Sequence, residues 1–184
     1  MTVTDLSAAP PYIAGSRTLC SAYEVASVVH AGPLGSGRVS LAHPVAVATL
    51  LHDVGYPSHV VAAALLHDVV EDGGVPLDRI QARFGPRVAR LVGRLTEDPA
   101  IRSFSRRKAA LRTRAIDGGD EAAAIFAADK LATAQALLRR GEVPEPEKLQ
   151  HYEHSLWLLR ARQPRLPFLD ELEADLTRLR ARPR

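Results

Sequence analysis

An all-α fold is what this sequence predicts, and three observations predict it. No stretch of the 184 residues sustains the period-two alternation of half-buried strands. Hydrophobic residues make up 46% but aromatics only 5%, with Ala, Leu and Val dominating, a composition suited to helix packing. Apolar residues also recur at helical spacing between Gly and Pro breakers. The length fits one domain with a sizeable core.

In chain order, residues 1–15 carry Pro10, Pro11 and Gly15 and read as an irregular arm. The main body runs over residues 16–163. Its first helix spans about Ser16 to His30, with Leu19, Tyr23, Ala26 and Val29 on one face. A Gly-rich loop, Ala31 to Gly37, follows. The next helix carries Pro44, Val45, Val47, Ala48, Leu50 and Leu51 and stops near Gly55 and Pro57. Ser58 is placed to cap a further helix that runs through an acidic cluster to Gly73-Gly74. Pro76 to Phe84 reads as a short helix, and Pro86 opens another through about Leu95. Residues 96–121 are rich in basic side chains and end at Gly118-Gly119. Helices then span about Asp120 to Arg140 and Glu147 to Arg162, with a turn between. Pro164 to Pro167 separates a terminal segment, 164–184, whose Leu169, Leu172, Leu176 and Leu179 form an amphipathic helix for packing on the domain or at an oligomer interface.

Formal net charge is +3, compatible with an anionic small substrate but too weak to argue for a nucleic acid polymer. The lone cysteine, Cys20, allows no disulfide within the chain and reads as a packing residue in a reducing compartment. No apolar run reaches the length of a bilayer span, and the N-terminus lacks the pattern of a signal peptide. A cytoplasmic location with no membrane partner is the expectation.

The chemistry concentrates in Ala62-Ala63-Ala64-Leu65-Leu66-His67-Asp68-Val69-Val70-Glu71-Asp72. On one continuous helix, His67 and Glu71, and Asp68 and Asp72, would each stack one turn apart. An imidazole and three carboxylates among Leu and Val side chains are costly to bury without a compensating cation. Imidazole nitrogen with carboxylate oxygen suits a divalent metal such as manganese, iron or zinc. A second His-Asp pair, His52-Asp53, lies at a helix end before Gly55 with no acidic residue one turn on. It reads as an exposed C-terminal histidine, where a cation suits the helix dipole. His43 opens its helix beside Pro44. Asp129 ends the apolar run Ala122 to Ala128, where a lone carboxylate needs a reason. The candidate ligands are therefore His43, His67, Asp68 and Asp129.

The order His, His-Asp, Asp resembles the HD superfamily of metal-dependent phosphohydrolases. The longer string is His43-Pro44, Ala63 to Asp72, Phe84-Gly85-Pro86-Arg87-Val88 and Leu91-Val92. It resembles the alarmone hydrolase domain of the RelA/SpoT type, over about residues 20 to 160. That resemblance implies Mn²⁺ held by the four candidate ligands, with Glu71 and Asp72 as the acidic pair acting on the attacking water. The implied reaction is hydrolysis of the 3′-pyrophosphate of guanosine tetra- or pentaphosphate.

Substrate residues implied in the same way are Arg38, Lys130, Lys148 and Tyr152. The family loop His-x-Gly-Gln-x-Arg-x-x-Gly-x-Pro-Tyr-x-x-His-Pro is shortened here to His30 through Pro44, without its Gln-x-Arg and Pro-Tyr elements. Arg38 is the candidate to replace the missing arginine. After Asp129, Thr133 stands where the family has Asn, and Gln135 where it has Arg. The metal residues are complete while the substrate shell departs. Alternatives are a phosphatase of another nucleotide such as NADPH, or a non-catalytic nucleotide-binding regulatory module. Tyr152 and Trp157 also read as core candidates, and Arg106, Arg107 and Lys108 as residues able to draw phosphates inward. A homo-oligomer is compatible with the terminal helix.

Overall fold

The computed structural model describes residues 9–31 and 40–182. Among them there is no strand, so the all-α expectation holds. The chain divides into two units, Met1–Thr96 and Glu97–Arg184.

The first unit holds α1 (Pro11–Ala14), α2 (Arg17–Ala31), α3 (Ala42–Asp53), α4 (Ser58–Leu65), α5 (Val69–Gly73) and α6 (Leu77–Leu95). Its centre is α4. Val60 through Leu65 are all buried, so this helix is apolar on every side and packs against α2, α3 and α6. The partners are amphipathic: α2 turns Leu19, Ala22, Tyr23 and Ala26 inward, and α3 turns Val47, Ala48 and Leu51 inward. The single helix expected from Ser58 to Gly73 is instead two, α4 and α5, separated at Leu66–Asp68. Ser58 is the first helical residue rather than a cap, with Pro57 before it and no side-chain cap bond. The two helices expected on either side of Phe84 and Pro86 are present as the halves of α6. They join at a kink where Gly85 has φ 85°, a conformation that favours glycine.

The second unit holds α7 (Phe104–Ile116), α8 (Asp120–Arg140), α9 (Pro146–Arg162) and α10 (Leu169–Arg180). It also has a central apolar helix, α8, in which Ala122 through Ala128 are buried. Helices α7, α9 and α10 pack around it. The terminal leucines Leu169, Leu172, Leu176 and Leu179 are buried, and α10 lies against α8 and α9. Helix α7 was hidden in the sequence because basic residues outnumber its inward face of Leu111, Arg112, Ala115 and Ile116. Trp157 is not core: it is 64% exposed. No helix of the described residues is long and apolar enough to cross a membrane.

Candidate functional site

In the first unit the break between α4 and α5 builds the site. A continuous helix would give the Ala64 carbonyl to the Asp68 N–H. Here the His67 Nδ1–H takes that carbonyl at 2.7 Å. The Val69 N–H bonds back only three residues, to Leu66 at 3.2 Å, which tightens the chain into a turn. The turn takes His67 and Asp68 out of the α4 ladder, while Asp68, as the residue before α5, still lies one turn from Asp72, whose N–H bonds the Asp68 carbonyl at 2.9 Å.

The bond to Ala64 also fixes the chemistry of His67. A carbonyl only accepts, so Nδ1 carries the hydrogen and, in the neutral ring, Nε2 presents its lone pair. That Nε2 lies 3.0 Å from Asp68 Oδ2. His43 Nε2 lies 4.0 Å from the same oxygen, and the two imidazoles sit 5.4 Å apart, tilted by 60°. His43 and His67 offer ring nitrogens within 4.8 Å of each other. Two lone-pair donors 3.0 Å apart in a site where His67 is 4% exposed repel unless a positive charge lies among them. The three groups therefore fit a divalent cation, and a His donating its other nitrogen to a backbone carbonyl is the usual way such a ligand is oriented.

Helix α5 places Glu71 and Asp72 in its first turn, both exposed. His30, at the end of α2, approaches Asp72 with Nδ1 3.8 Å from Oδ2. The Asp72 carboxyl is held above the usual carboxylate range by burial and by the charge of Asp68. Burial lowers the His30 imidazole. The Asp72 shift moves that carboxyl toward neutral pH, where a group exchanges protons most effectively, and the His30 shift favours its neutral ring. His52 stands apart from this chemistry: it is exposed and stacks on Tyr12 with ring centroids 4.0 Å apart and planes at 12°.

In the second unit Asp129 and Lys130 occur together on α8, joined by a 2.5 Å ion pair. Lys130 is buried, with Nζ 4.6 Å from the Phe126 ring centre and 5.7 Å from that of Tyr152. Lys148 Nζ lies 6.0 Å from the centre of the same Tyr152 ring. Tyr152 is buried, and burial together with the Asp129 charge pushes its hydroxyl upward. Thr133 donates its hydroxyl to the Asp129 carbonyl at 2.9 Å. Gln135 lines a groove with Glu171, Asp175 and Arg178 of α10.

Arg107 and Lys108 are not loose phosphate attractors, since both grip the carboxylate of Glu97. Burial alone would raise that carboxyl, but the two cations hold it below its usual range. Arg106 remains exposed. Arg38 lies outside the described residues. Sequence reasoning did not single out Arg112, which meets His151 and His154. Its signal was a lone arginine on the inward stripe of α7.

The HD domain family matches residues 22–155 of this chain. The chain belongs to that family. Among its relatives, a Synechocystis protein named "Probable guanosine-3′,5′-bis(diphosphate) 3′-pyrophosphohydrolase" is 42% identical over 88 residues, covering 47% of this chain and 11% of that protein. Human guanosine-3′,5′-bis(diphosphate) 3′-pyrophosphohydrolase MESH1 is 40% identical over 74 residues, covering 39% of this chain and 41% of that one. The matched segments thus span well under two thirds of either relative. The crystal structure of lmo0812 from Listeria monocytogenes is 29% identical with a TM-score of 0.67, covering 74% of this chain and 97% of that one.

Proposed function

We propose that this chain is a divalent-metal-dependent phosphohydrolase acting on a nucleotide phosphate or pyrophosphate. The observation that carries it is the convergence of His43 Nε2, His67 Nε2 and Asp68 Oδ2, with His67 oriented through the Ala64 carbonyl. His43, His67, Asp68 and Asp129 are the residues that would hold the cation, Asp129 by the family order of its ligands. Mn²⁺ is the metal the resemblance favours. When bound, the cation polarises a phosphoryl oxygen and draws the ionisation of a water molecule toward neutral pH.

The chain's own residues supply the rest. Glu71 and Asp72 receive the proton of the attacking water, and the raised carboxyl of Asp72 suits that role. Lys130 and Lys148 neutralise phosphate charge, Tyr152 flanks the nucleotide, and Arg38 extends the cationic set.

Named activity in the relatives makes guanosine tetraphosphate the first substrate to assay. One observation favours a second nucleotide, such as the 2′-phosphate of NADPH. Thr133 spends its hydroxyl hydrogen on the Asp129 carbonyl, so it does not replace the amide of the family asparagine. Alarmone turnover should therefore be the weaker of the two. We place it in the cytoplasm, acting on a small-molecule substrate.

The test is a nucleotide panel incubated with Mn²⁺, with released phosphate and pyrophosphate measured separately. Metal-dependent release that disappears in Asp68→Asn supports the reading. Release from no nucleotide with Mn²⁺, Fe²⁺ or Zn²⁺ would overturn it, and alarmone hydrolysis near 10⁴ M⁻¹s⁻¹ or above, roughly an ordinary cognate rate, would overturn the substrate order.

A further inference from the structure

His30 is a histidine that the metal reading leaves unused. It lies at the end of α2, which packs against α5. Its side chain is 2% exposed, and its Nε2 is buried with no hydrogen-bond partner. Its Nδ1 lies 3.8 Å from Asp72 Oδ2.

The residues next in the chain bring the two together. Val29 precedes His30 and Gly73 follows Asp72, and a Cβ at Gly73 would come within 2.6 Å of a Val29 methyl. The missing side chain at Gly73 lets α5 sit this close to α2. That closeness carries the Asp72 carboxylate to the His30 ring.

The two sides of the ring decide where its hydrogen lies. Burial favours the neutral imidazole, which carries one hydrogen. With that hydrogen on Nε2, a donor would be buried without an acceptor, and the Nδ1 lone pair would face an anionic oxygen. Both arrangements are unfavourable. With the hydrogen on Nδ1, an N–H faces the carboxylate and only an acceptor is left unfilled. The second tautomer is therefore favoured, and it makes His30 a donor to Asp72.

A separation of 3.8 Å is longer than a hydrogen bond, and catalytic bonds of this kind often tighten only in the substrate complex. The Asp72 side chain is 36% exposed and has room to move inward. A neutral donor also suits a base better than a cation does. It fixes the direction of the carboxylate while lowering its proton affinity less than an adjacent cation would.

We propose that His30 is a positioning residue, whose Nδ1–H holds the Asp72 carboxylate as acceptor of the attacking water's proton. The role rests on the metal-hydrolase reading above. The tautomer and the contact do not, so the two can fail separately.

The test uses the full chain in two arms. In the first, ¹⁵N-histidine-labelled protein without added metal is read at neutral pH by long-range ¹H–¹⁵N spectra, which distinguish the tautomers. The His30 signal is identified by its absence in His30→Asn. It is expected to show the Nδ1–H form, and Asp72→Asn is expected to shift it. An Nε2–H form, or a signal unmoved by Asp72→Asn, would overturn the contact. The second arm measures Mn²⁺-dependent turnover of the nucleotide that the panel identifies. His30→Phe should lower kcat by about 10–100-fold, the cost of a misplaced group, with KM and metal content little changed. His30→Asn puts an amide N–H where Nδ1–H stood and should recover most of that loss. His30→Gln puts it where Nε2 stood and should not, and it carries the comparison with wild type where His30→Phe does not fold. Equal recovery by both amides, loss of metal, or full kcat in the folded His30→Phe chain would overturn the positioning role. A wild-type chain that hydrolyses no nucleotide overturns the metal-hydrolase reading and this role together, and the first arm still decides the contact.

Discussion

Each unit is organised around one apolar helix, and the two helices end differently. In the first, α4 stops at Leu65 and the chain breaks into a turn before α5. In the second, α8 runs unbroken through Asp129-Lys130 to Arg140. The break frees His67 from the helical ladder, commits its Nδ1 to Ala64 and aims its Nε2 at Asp68. The unbroken helix keeps Asp129 and Lys130 as neighbours, and their charges pair directly at 2.5 Å. The first unit thus presents neutral nitrogen and anionic oxygen, a ligand set for a cation. The second presents Lys130, buried and paired with Asp129 on the same helix. A break in the backbone takes polar residues out of the helical ladder in the first unit, and an unbroken helix keeps them within it in the second.

The comparison breaks most clearly at the ligands. His67→Ala or Asp68→Asn should remove bound metal and lower turnover by more than about 100-fold, the upper end of what disturbing an outer partner costs. Metal content by mass spectrometry and phosphate release check this. Retained metal with full turnover would move the centre elsewhere. Lys130→Met in the second unit should instead leave metal content unchanged. It should raise KM by about 10–100-fold, the range for a lost charged hydrogen bond. An equal loss of metal in that variant would show that Lys130 acts through Asp129, the proposed ligand with which it pairs.

The second unit should also be the acid-sensitive one through His151. Its imidazole falls from an ordinary 6.5 to about 3 in the fold, so below 6.5 the unfolded chain binds a proton that the folded chain refuses. Stability is complete above that value and is lost as pH falls toward 3. The loss is about 2 kcal/mol by roughly pH 5. Thermal melts from neutral pH downward should show the slope, and His151→Phe should flatten it. An unchanged slope would mean that His151 is protonated within the fold.

Packing tests are smaller. A Cβ at Gly73 would come within 2.6 Å of a Val29 methyl, where α5 meets α2. Gly73→Ala should destabilise by at least about 1 kcal/mol, as overpacking does. Chemical denaturation measures it, and a neutral result would show that α5 slides freely. Trp157→Ser, at an exposed position of α9, should stay within about 0.5 kcal/mol. A larger loss would show that the indole is covered.

Much of this was legible in the residues. Helical spacing of the leucines and alanines foretold α8 and α9 nearly to their ends and the leucine stripe of α10, because a buried stripe must recur every three to four residues. The exposed fate of His52-Asp53 followed from its place at a helix end. Helix α7 was not legible, because a stripe of four inward residues is lost among arginines and a lysine. The break at Leu66–Asp68 was not legible either. Its sequence, Leu-Leu-His-Asp-Val, holds no Gly or Pro, and the competing donor to the Ala64 carbonyl is the His67 side chain, whose reach shows only once folded.

By itself, then, the sequence determined the helical class, the apolar centres of both units and the chemical kinds of residue available for a metal and a phosphate. Periodicity and composition are local properties, readable from neighbours along the chain. Only the tertiary structure decided that His67 points its Nε2 toward Asp68, that Arg107 and Lys108 are taken by Glu97, and that Arg112 is buried against His151 instead of an acid. Those outcomes depend on which groups, tens of residues apart, reach each other first for a hydrogen bond, and that competition is settled by packing.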